Sequence, residues 1–118
     1  MSEFIEDLNR SVLFVLPREP FAAWARQDRD FAHTTLASLS EEGTAYLLPD
    51  VNNSGDEEAL IAHFWEDIFE LQLGSWSTDP SDWPSKRTLR MFREWFELKF
   101  SSLCLDLVGE PVKPRTDV

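Results

Sequence analysis

The stretch that decides the fold of this chain is Val12-Leu13-Phe14-Val15-Leu16, which is followed at once by Pro17. Short runs of branched and aromatic residues that stop at a proline are typical of buried strands. Because the run is apolar at consecutive positions, both of its faces are expected to be covered, which predicts the central strand of a sheet. Two further strands are predicted, one over residues 44–48 and a last one over residues 99–108.

Helical spacing of apolar residues predicts two clear helices in the second half of the chain. The longer one begins with a capping box of Ser54 and Glu57 and ends at Gly74. Its apolar stripe is predicted to contain Leu60, Ile61, Phe64, Trp65, Ile68, Phe69 and Leu71. Residues 88–97 predict the other helix, with an inner face that holds Leu89, Phe92 and Phe96.

Shorter helical segments complete the outline. Pro20 suits the first turn of a helix that buries Phe21. Residues 34–40 predict a short helix, and residues 3–9 predict a helical turn with Phe4, Ile5 and Leu8 on one side. The predicted order is β-α-β-α-α-β, an α/β (α+β) fold in which helices pack on a small three-stranded sheet. The first two strands are far enough apart for a helical crossover, which is right-handed if they are parallel.

Length and composition predict a single domain over residues 1–118, with residues 1–10 and 109–118 at its periphery. Of the 118 residues, 42% are hydrophobic and 13% are aromatic, enough for a core without disulfides or metal. The formal charge of −11 argues against a general nucleic-acid binder, because phosphate contacts need positive charge. The sequence lacks a transmembrane run and a secretory signal pattern and contains one cysteine, so a cytoplasmic location without membrane contact is expected.

Residues 76–96 carry a dense aromatic motif, W-x-x-D-x-x-x-W-P-x-x-R-x-x-x-x-F-x-x-W-F. It resembles a motif of small, hypothetical bacterial proteins, and the segment Tyr46-Leu47-Leu48-Pro49 resembles the same family. The resemblance covers the chain from the first strand to the last. It implies a shared fold and a bacterial source, and it implies no activity, cofactor or partner.

The loop of residues 76–87 is the candidate binding site, and two interpretations of it stay open. In one, Trp76, Asp79, Trp83 and Arg87 form a recognition surface, since tryptophan offers a rigid face and arginine can clamp an anion. In the other, the loop is an ordered connection. Its tryptophans then fill the gap between helices, Asp79 caps the following turn, and Arg87 pairs with Asp79 or Asp82.

A positive cluster follows the loop and contains Lys86, Arg87, Arg90 and Arg93. Helical spacing pairs Arg90 with Glu94, and the same spacing pairs Arg93 with Glu97. The cluster is interpreted as a helix surface that neutralises nearby acids, with a small anion-binding or partner-binding patch as the alternative.

Catalytic and metal-binding patterns are weak. His63 with Glu66 and Asp67 places three possible ligands on one helix, but this pattern is more typical of a solvated polar face. Cys104 lies between two leucines and is expected to be a buried apolar side chain rather than a nucleophile. We therefore predict no catalytic residue, no metal and no cofactor.

The predicted function is a non-enzymatic acidic protein-interaction or regulatory module. Its partner is expected to be a basic protein, because the strong negative charge would steer such a partner to it. The steering acids are expected on one helix and comprise Asp56, Glu57, Glu58, Glu66 and Glu70. Two alternatives remain: a small-ligand-binding protein or enzyme with its site at residues 76–87, and a structural homodimer.

Overall fold

A computed structural model describes residues 5–40, 43–51 and 56–115 of the chain. The strands are β1 (Glu6–Asp7), β2 (Arg10–Pro17), β3 (Thr44–Pro49), β4 (Phe96–Ser101) and β5 (Leu105–Asp106). The helices are α1 (Glu19–Ala25), α2 (Leu36–Ser40), α3 (Glu57–Gly74) and α4 (Leu89–Trp95). Two short 3-10 turns lie at Arg29–Phe31 and Pro80–Asp82. The mixed α/β class is confirmed.

The main sheet has three strands in the order β3-β2-β4, so the apolar run is the central strand, as predicted. Both pairings are antiparallel, with Leu13 facing Tyr46 on one side and Phe100 on the other. A parallel crossover between the first two strands is therefore absent from the described sheet. The predicted coverage of both faces of β2 fails at Phe14, which is 45% exposed, although Val12 on the same face is buried. Antiparallel sheets commonly leave one face to water, and the helices pack on the other.

A separate two-stranded ribbon, β1 with β5, continues from one end of this sheet. The pair Asp7–Leu105 belongs to the ribbon and the pair Val12–Ser101 to the main sheet. Between these two pairs, the chain that joins β1 to β2 advances five residues, whereas the chain that joins β4 to β5 advances four. One extra residue in an antiparallel ladder is the signature of a β-bulge, which bends the strand that contains it. The predicted helical turn over residues 3–9 is wrong, because residues 6–7 are strand residues that pair with residues 105–106. Phe4 lies outside the described residues.

The core centres on four fully buried phenylalanines, each from a different element. Their ring centroids lie 5.2 to 5.8 Å apart at tilted or perpendicular angles, a favourable geometry for aromatic pairs. The cluster sits above Leu13 and Val15 on the inner face of the sheet. Its members are Phe21 of α1, Phe69 of α3, Phe92 of α4 and Phe96 of β4.

The junction between α4 and β4 is abrupt. The Thr88 hydroxyl accepts a hydrogen bond from the Met91 amide and caps the helix. The helix predicted over residues 88–97 instead ends at Trp95, and Phe96 is the first residue of a strand. Phe96 is buried as predicted, but as a strand residue, and its ring packs on Phe21, Phe69 and Phe92. The predicted strand 99–108 accordingly starts earlier and is split into β4 and β5.

Helix α3 is capped by Asp56, whose carboxylate accepts a hydrogen bond from the Ala59 amide at 3.0 Å. The predicted cap, Ser54, lies outside the described residues. The buried face rotates along the helix, from Leu60 and Ile61 at the start to Gln72 and Leu73 at the end.

Two predicted members of the α3 stripe, Phe64 and Trp65, are only half-buried. Leu71 was predicted in the same stripe and is instead 61% exposed, because the rotated face carries it outward. Its neighbour Gln72 is the buried residue, and its amide donates a 2.7 Å hydrogen bond to the Tyr46 hydroxyl.

Leu71 and Leu73, two leucines of α3 separated by Gln72, provide a matched test of this face. Leu73 is fully buried, so Leu73→Ala should lower the free energy of unfolding by about 2–5 kcal/mol. Leu71→Ala removes the same atoms from an exposed position and should change it by less than about 0.5 kcal/mol. Urea denaturation of both variants measures the difference. Equal losses would show that the buried face of α3 is misplaced.

The Tyr46 hydroxyl predicts a loss of stability in alkali. Burial raises the pKa of Tyr46, against the opposing effect of its hydrogen bond with Gln72. The unfolded chain therefore loses the phenolic proton first, so this contribution is complete below about pH 10 and is lost as the pH rises through the folded-state pKa. Tyr46 is the only tyrosine, so phenolate absorbance reports it alone. Tyr46→Phe should lose less stability than the wild type as the pH rises above about 10.

Candidate functional site

The connection between α3 and α4 is ordered by its own side chains. The Trp83 indole donates a hydrogen bond to the Ser77 carbonyl at 2.9 Å. Asp79 caps the 3-10 turn by accepting hydrogen bonds from the hydroxyl and the amide of Ser81, at 2.8 and 3.0 Å. These bonds, led by the hydroxyl, hold the pKa of Asp79 below its usual value. The predicted capping role of Asp79 is confirmed.

Arg87 fastens the end of this connection to α3. Its guanidinium donates to the Pro84 carbonyl at 2.7 Å and to the Glu70 carboxylate at 3.0 Å. It also lies 5.8 Å from the centre of the Trp83 ring, within range of a cation–π interaction. The predicted pairing of Arg87 with Asp79 or Asp82 is wrong, because the loop turns the guanidinium toward Glu70.

A shallow groove, here called the α3 groove, runs beside this junction. It has a volume of about 790 Å³ and is lined by Asp67, Glu70, Leu71, Gly74, Ser75, Thr78 and Trp83. The Trp83 ring packs beside Gly74, where a Cβ would lie 3.5 Å from the ring, an ordinary van der Waals contact. Four predicted site residues therefore gather at or beside the groove: Glu70 and Trp83 in its wall, Arg87 bonded to Glu70, and Glu66 one turn earlier on α3.

Trp76 lies on a different cleft from Trp83, although both belong to the predicted loop. This second site, here called the aromatic cleft, has a volume of about 310 Å³. It is lined by Trp24, Ala25, Gln27, Asp28, Phe31, Trp76, Ser77 and Asp82. A single deep pocket built from Trp76, Trp83 and Arg87 is thus not what the fold creates.

The wall of the aromatic cleft that follows α1 is held by Arg26. Its guanidinium donates to the Thr34 carbonyl at 2.6 Å and to the Glu19 carboxylate at 2.7 Å. The hydrogen bond from Arg26 lowers the pKa of Glu19. Sequence reasoning missed Trp24, Asp28 and Phe31 as site residues, because some 50 residues separate them from Trp76 and no local spacing connects the two segments.

The two arginines of the positive cluster that lie on α4 form ion pairs with acidic neighbours. Arg90 contacts Glu94 at 3.1 Å, as predicted. Arg93 contacts Glu58 of α3 at 2.8 Å, so its predicted pairing with Glu97 is wrong. The helix ends before Glu97, which removes the i,i+4 geometry on which that pairing depended.

Metal-ligating side chains do not converge in the part of the chain that the structure describes: no group of three or more histidines, cysteines or carboxylates is arranged for an ion. The His63 ring packs edge-on against Phe64 at 4.6 Å. Cys104 is a free thiol and is only partly buried, so the expected full burial is wrong. None of the helices described is long and apolar enough to cross a bilayer.

Comparison with known proteins supplies no relative: no protein-family model, no curated protein and no solved structure matches this chain. The bacterial resemblance of residues 76–96 therefore stays a prediction, and the function must be inferred from the geometry of the two clefts and the surface.

Substitution of two neighbouring arginines tests whether Arg87 fastens the loop of residues 76–87 to α3. Arg87→Ala removes two hydrogen bonds and the contact with Trp83, and it should lower the free energy of unfolding by about 1 kcal/mol. Arg90→Ala makes the same charge change at a side chain that is 90% exposed and should have almost no effect. Chemical denaturation followed by tryptophan fluorescence compares them. If both variants unfold alike, Arg87 does not anchor the loop.

Proposed function

We propose that the protein is a non-enzymatic interaction module that binds a basic segment of another protein in the α3 groove. The single observation that carries the proposal is the exposure of Leu71. It stands 61% exposed beside Trp83 in a groove whose rim includes Asp67 and Glu70. Large apolar side chains that share a concave surface with carboxylates suit an amphipathic, basic partner.

The electrostatics of α3 favour the same partner. The chain carries a formal charge of −11. Glu58 and Glu70 are occupied by Arg93 and Arg87, so those predicted steering acids are partly neutralised. Glu66 and Asp67 are exposed beside the groove and remain the closest acids that could attract a positive chain. Surface charges of this kind act mainly on the rate of association and are screened over about 8 Å at physiological salt.

The structural homodimer is a second candidate, supported by the partly exposed outer face of the main sheet. Phe14 of β2 and Leu47 of β3 point to this face and are diagonal neighbours, 45% and 52% exposed. The ribbon adds Leu105 and the following Leu107 and Val108, all at least half exposed. Two-stranded ribbons are marginal alone, so a second copy covering them would stabilise both.

The two exposed leucines allow a paired test of the interaction module. Immobilised wild-type chain, Leu71→Ser and Leu47→Ser are each used to capture proteins from the source cells, and retained proteins are identified by mass spectrometry. We expect a basic protein that the wild type and Leu47→Ser retain and that Leu71→Ser binds at least about tenfold more weakly. Its association rate should fall as salt is raised. Identical retention by all three chains would contradict the α3 groove as the contact.

The response to salt also distinguishes a homodimer from a complex with a basic partner. Two copies of a chain with eleven surplus negative charges repel each other, so salt should strengthen a homodimer and weaken a basic complex. Sedimentation of the pure chain at low and high salt measures this difference. Dimerisation that increases with salt and is lost in Leu47→Ser would favour the homodimer.

A further inference from the structure

The aromatic cleft is a second, separate site, and its rings are held in place by the protein itself. Phe31 and Trp76 meet edge to face with centroids 4.6 Å apart. The Trp24 indole donates a 3.1 Å hydrogen bond to the Asp82 carbonyl, which ties α1 to the connection after α3. Trp24 and Trp76 also contact the fully buried Phe21. The rings are therefore positioned before any ligand arrives.

The charged residues that line the cleft are two aspartates, Asp28 and Asp82. Asp28 accepts a hydrogen bond from the Asp30 amide at 2.9 Å, and Asp82 accepts one from the Ser77 hydroxyl at 3.0 Å. A carboxylate offers about four acceptor positions, so both keep capacity for a further donor. Within the described ranges, no lysine, arginine or histidine lines the cleft to neutralise them.

We propose that the aromatic cleft binds an organic cation, a guanidinium or alkylammonium group. The faces of aromatic rings attract such cations, and desolvation strengthens that attraction. The two carboxylates supply charge-assisted acceptors for the N–H donors of the cation. A volume of about 310 Å³ lies at the small end of ligand pockets, which suits a small amine or the end of one side chain.

This inference does not rest on the proposed function. The aromatic cleft is lined by Trp24 and Trp76, whereas the α3 groove is lined by Trp83. The same cationic chemistry is available from a free metabolite or from an arginine or lysine side chain of a protein. NMR signals of the five indole N–H groups distinguish binding at one site from binding at the other, because each tryptophan gives its own signal.

The test uses methylguanidinium as the probe and methylurea as its neutral counterpart of similar shape, added to the full ¹⁵N-labelled chain at constant ionic strength. We expect methylguanidinium to shift the indole signals of Trp24 and Trp76 in a saturable way and to leave that of Trp83 unchanged. Methylurea should give at least about tenfold weaker binding, since it lacks the charge. Equal shifts with both compounds, or no saturable shift with methylguanidinium, would overturn the proposal.

Asp→Asn variants, which remove a charge and keep the size of the side chain, test where the cation binds. Asp28→Asn and Asp82→Asn keep an acceptor oxygen for the existing hydrogen bonds, and each should weaken methylguanidinium binding by about tenfold. Asp30→Asn makes the same charge change outside the cleft and should alter it by less than about twofold. Phe31→Leu should weaken it by about threefold through loss of a ring face. If Asp30→Asn weakens binding as much as Asp28→Asn, binding follows net charge and the cleft is not the site.

The two sources of the cation are distinguished with a capped Gly-Arg-Gly peptide. Binding of the peptide at Trp24 and Trp76 at least as tight as that of methylguanidinium supports a protein side chain as the natural occupant. Binding of methylguanidinium alone supports a free small cation. Failure of both at these signals rejects the cation site, whatever the α3 groove binds.

Discussion

The structure depends on the contact of four phenylalanines that come from four different elements. Phe21, Phe69, Phe92 and Phe96 are fully buried, and their rings lie within 5.8 Å of a neighbour in the cluster. An antiparallel three-stranded sheet has too little surface to make a core by itself, so the helices must bury their apolar sides against it. In the aromatic cluster, α1, α3, α4 and β4 bury apolar side chains against one another. Residues that pack on the edge of this cluster line the aromatic cleft.

Phe21 connects the core to the aromatic cleft. Its ring contacts Trp24 at 5.4 Å and Trp76 at 6.3 Å, so two walls of the cleft rest on a rigid interior. Trp83 belongs to the same connection between α3 and α4, but it lies in the α3 groove, against Gly74 at the end of α3. One ordered loop thereby contributes a tryptophan to each of two clefts. The loop of residues 76–87 is an ordered connection, and its two tryptophans line concave surface; its role in recognition stays a proposal.

Exposed apolar residues lie in two regions of the molecule, and in one of them they lie beside acids. The acids of α3 lie beside Leu71 and Trp83, whereas the exposed Phe14 and Leu47 lie on the face of the sheet that the helices leave open. Salt bridges from Arg87 and Arg93 neutralise two acids of α3 and fasten the connection and α4 to that helix. The negative charge that remains acts at a distance, and the apolar surfaces decide where a partner can make close contact.

Local patterns by themselves determined the central strand, the long helix α3 and the cap at Asp79, because each depends on residues within a few positions of one another. Tertiary structure alone decided the rest. The β1–β5 ribbon pairs segments almost a hundred residues apart, which no helical or strand period can reveal. Leu71 is exposed because the buried face of α3 rotates along the helix, from Leu60 and Ile61 to Gln72 and Leu73. The aromatic cleft exists because packing on Phe21 brings Trp76 to the residues after α1, and such a meeting is a property of the folded chain rather than of any stretch of it.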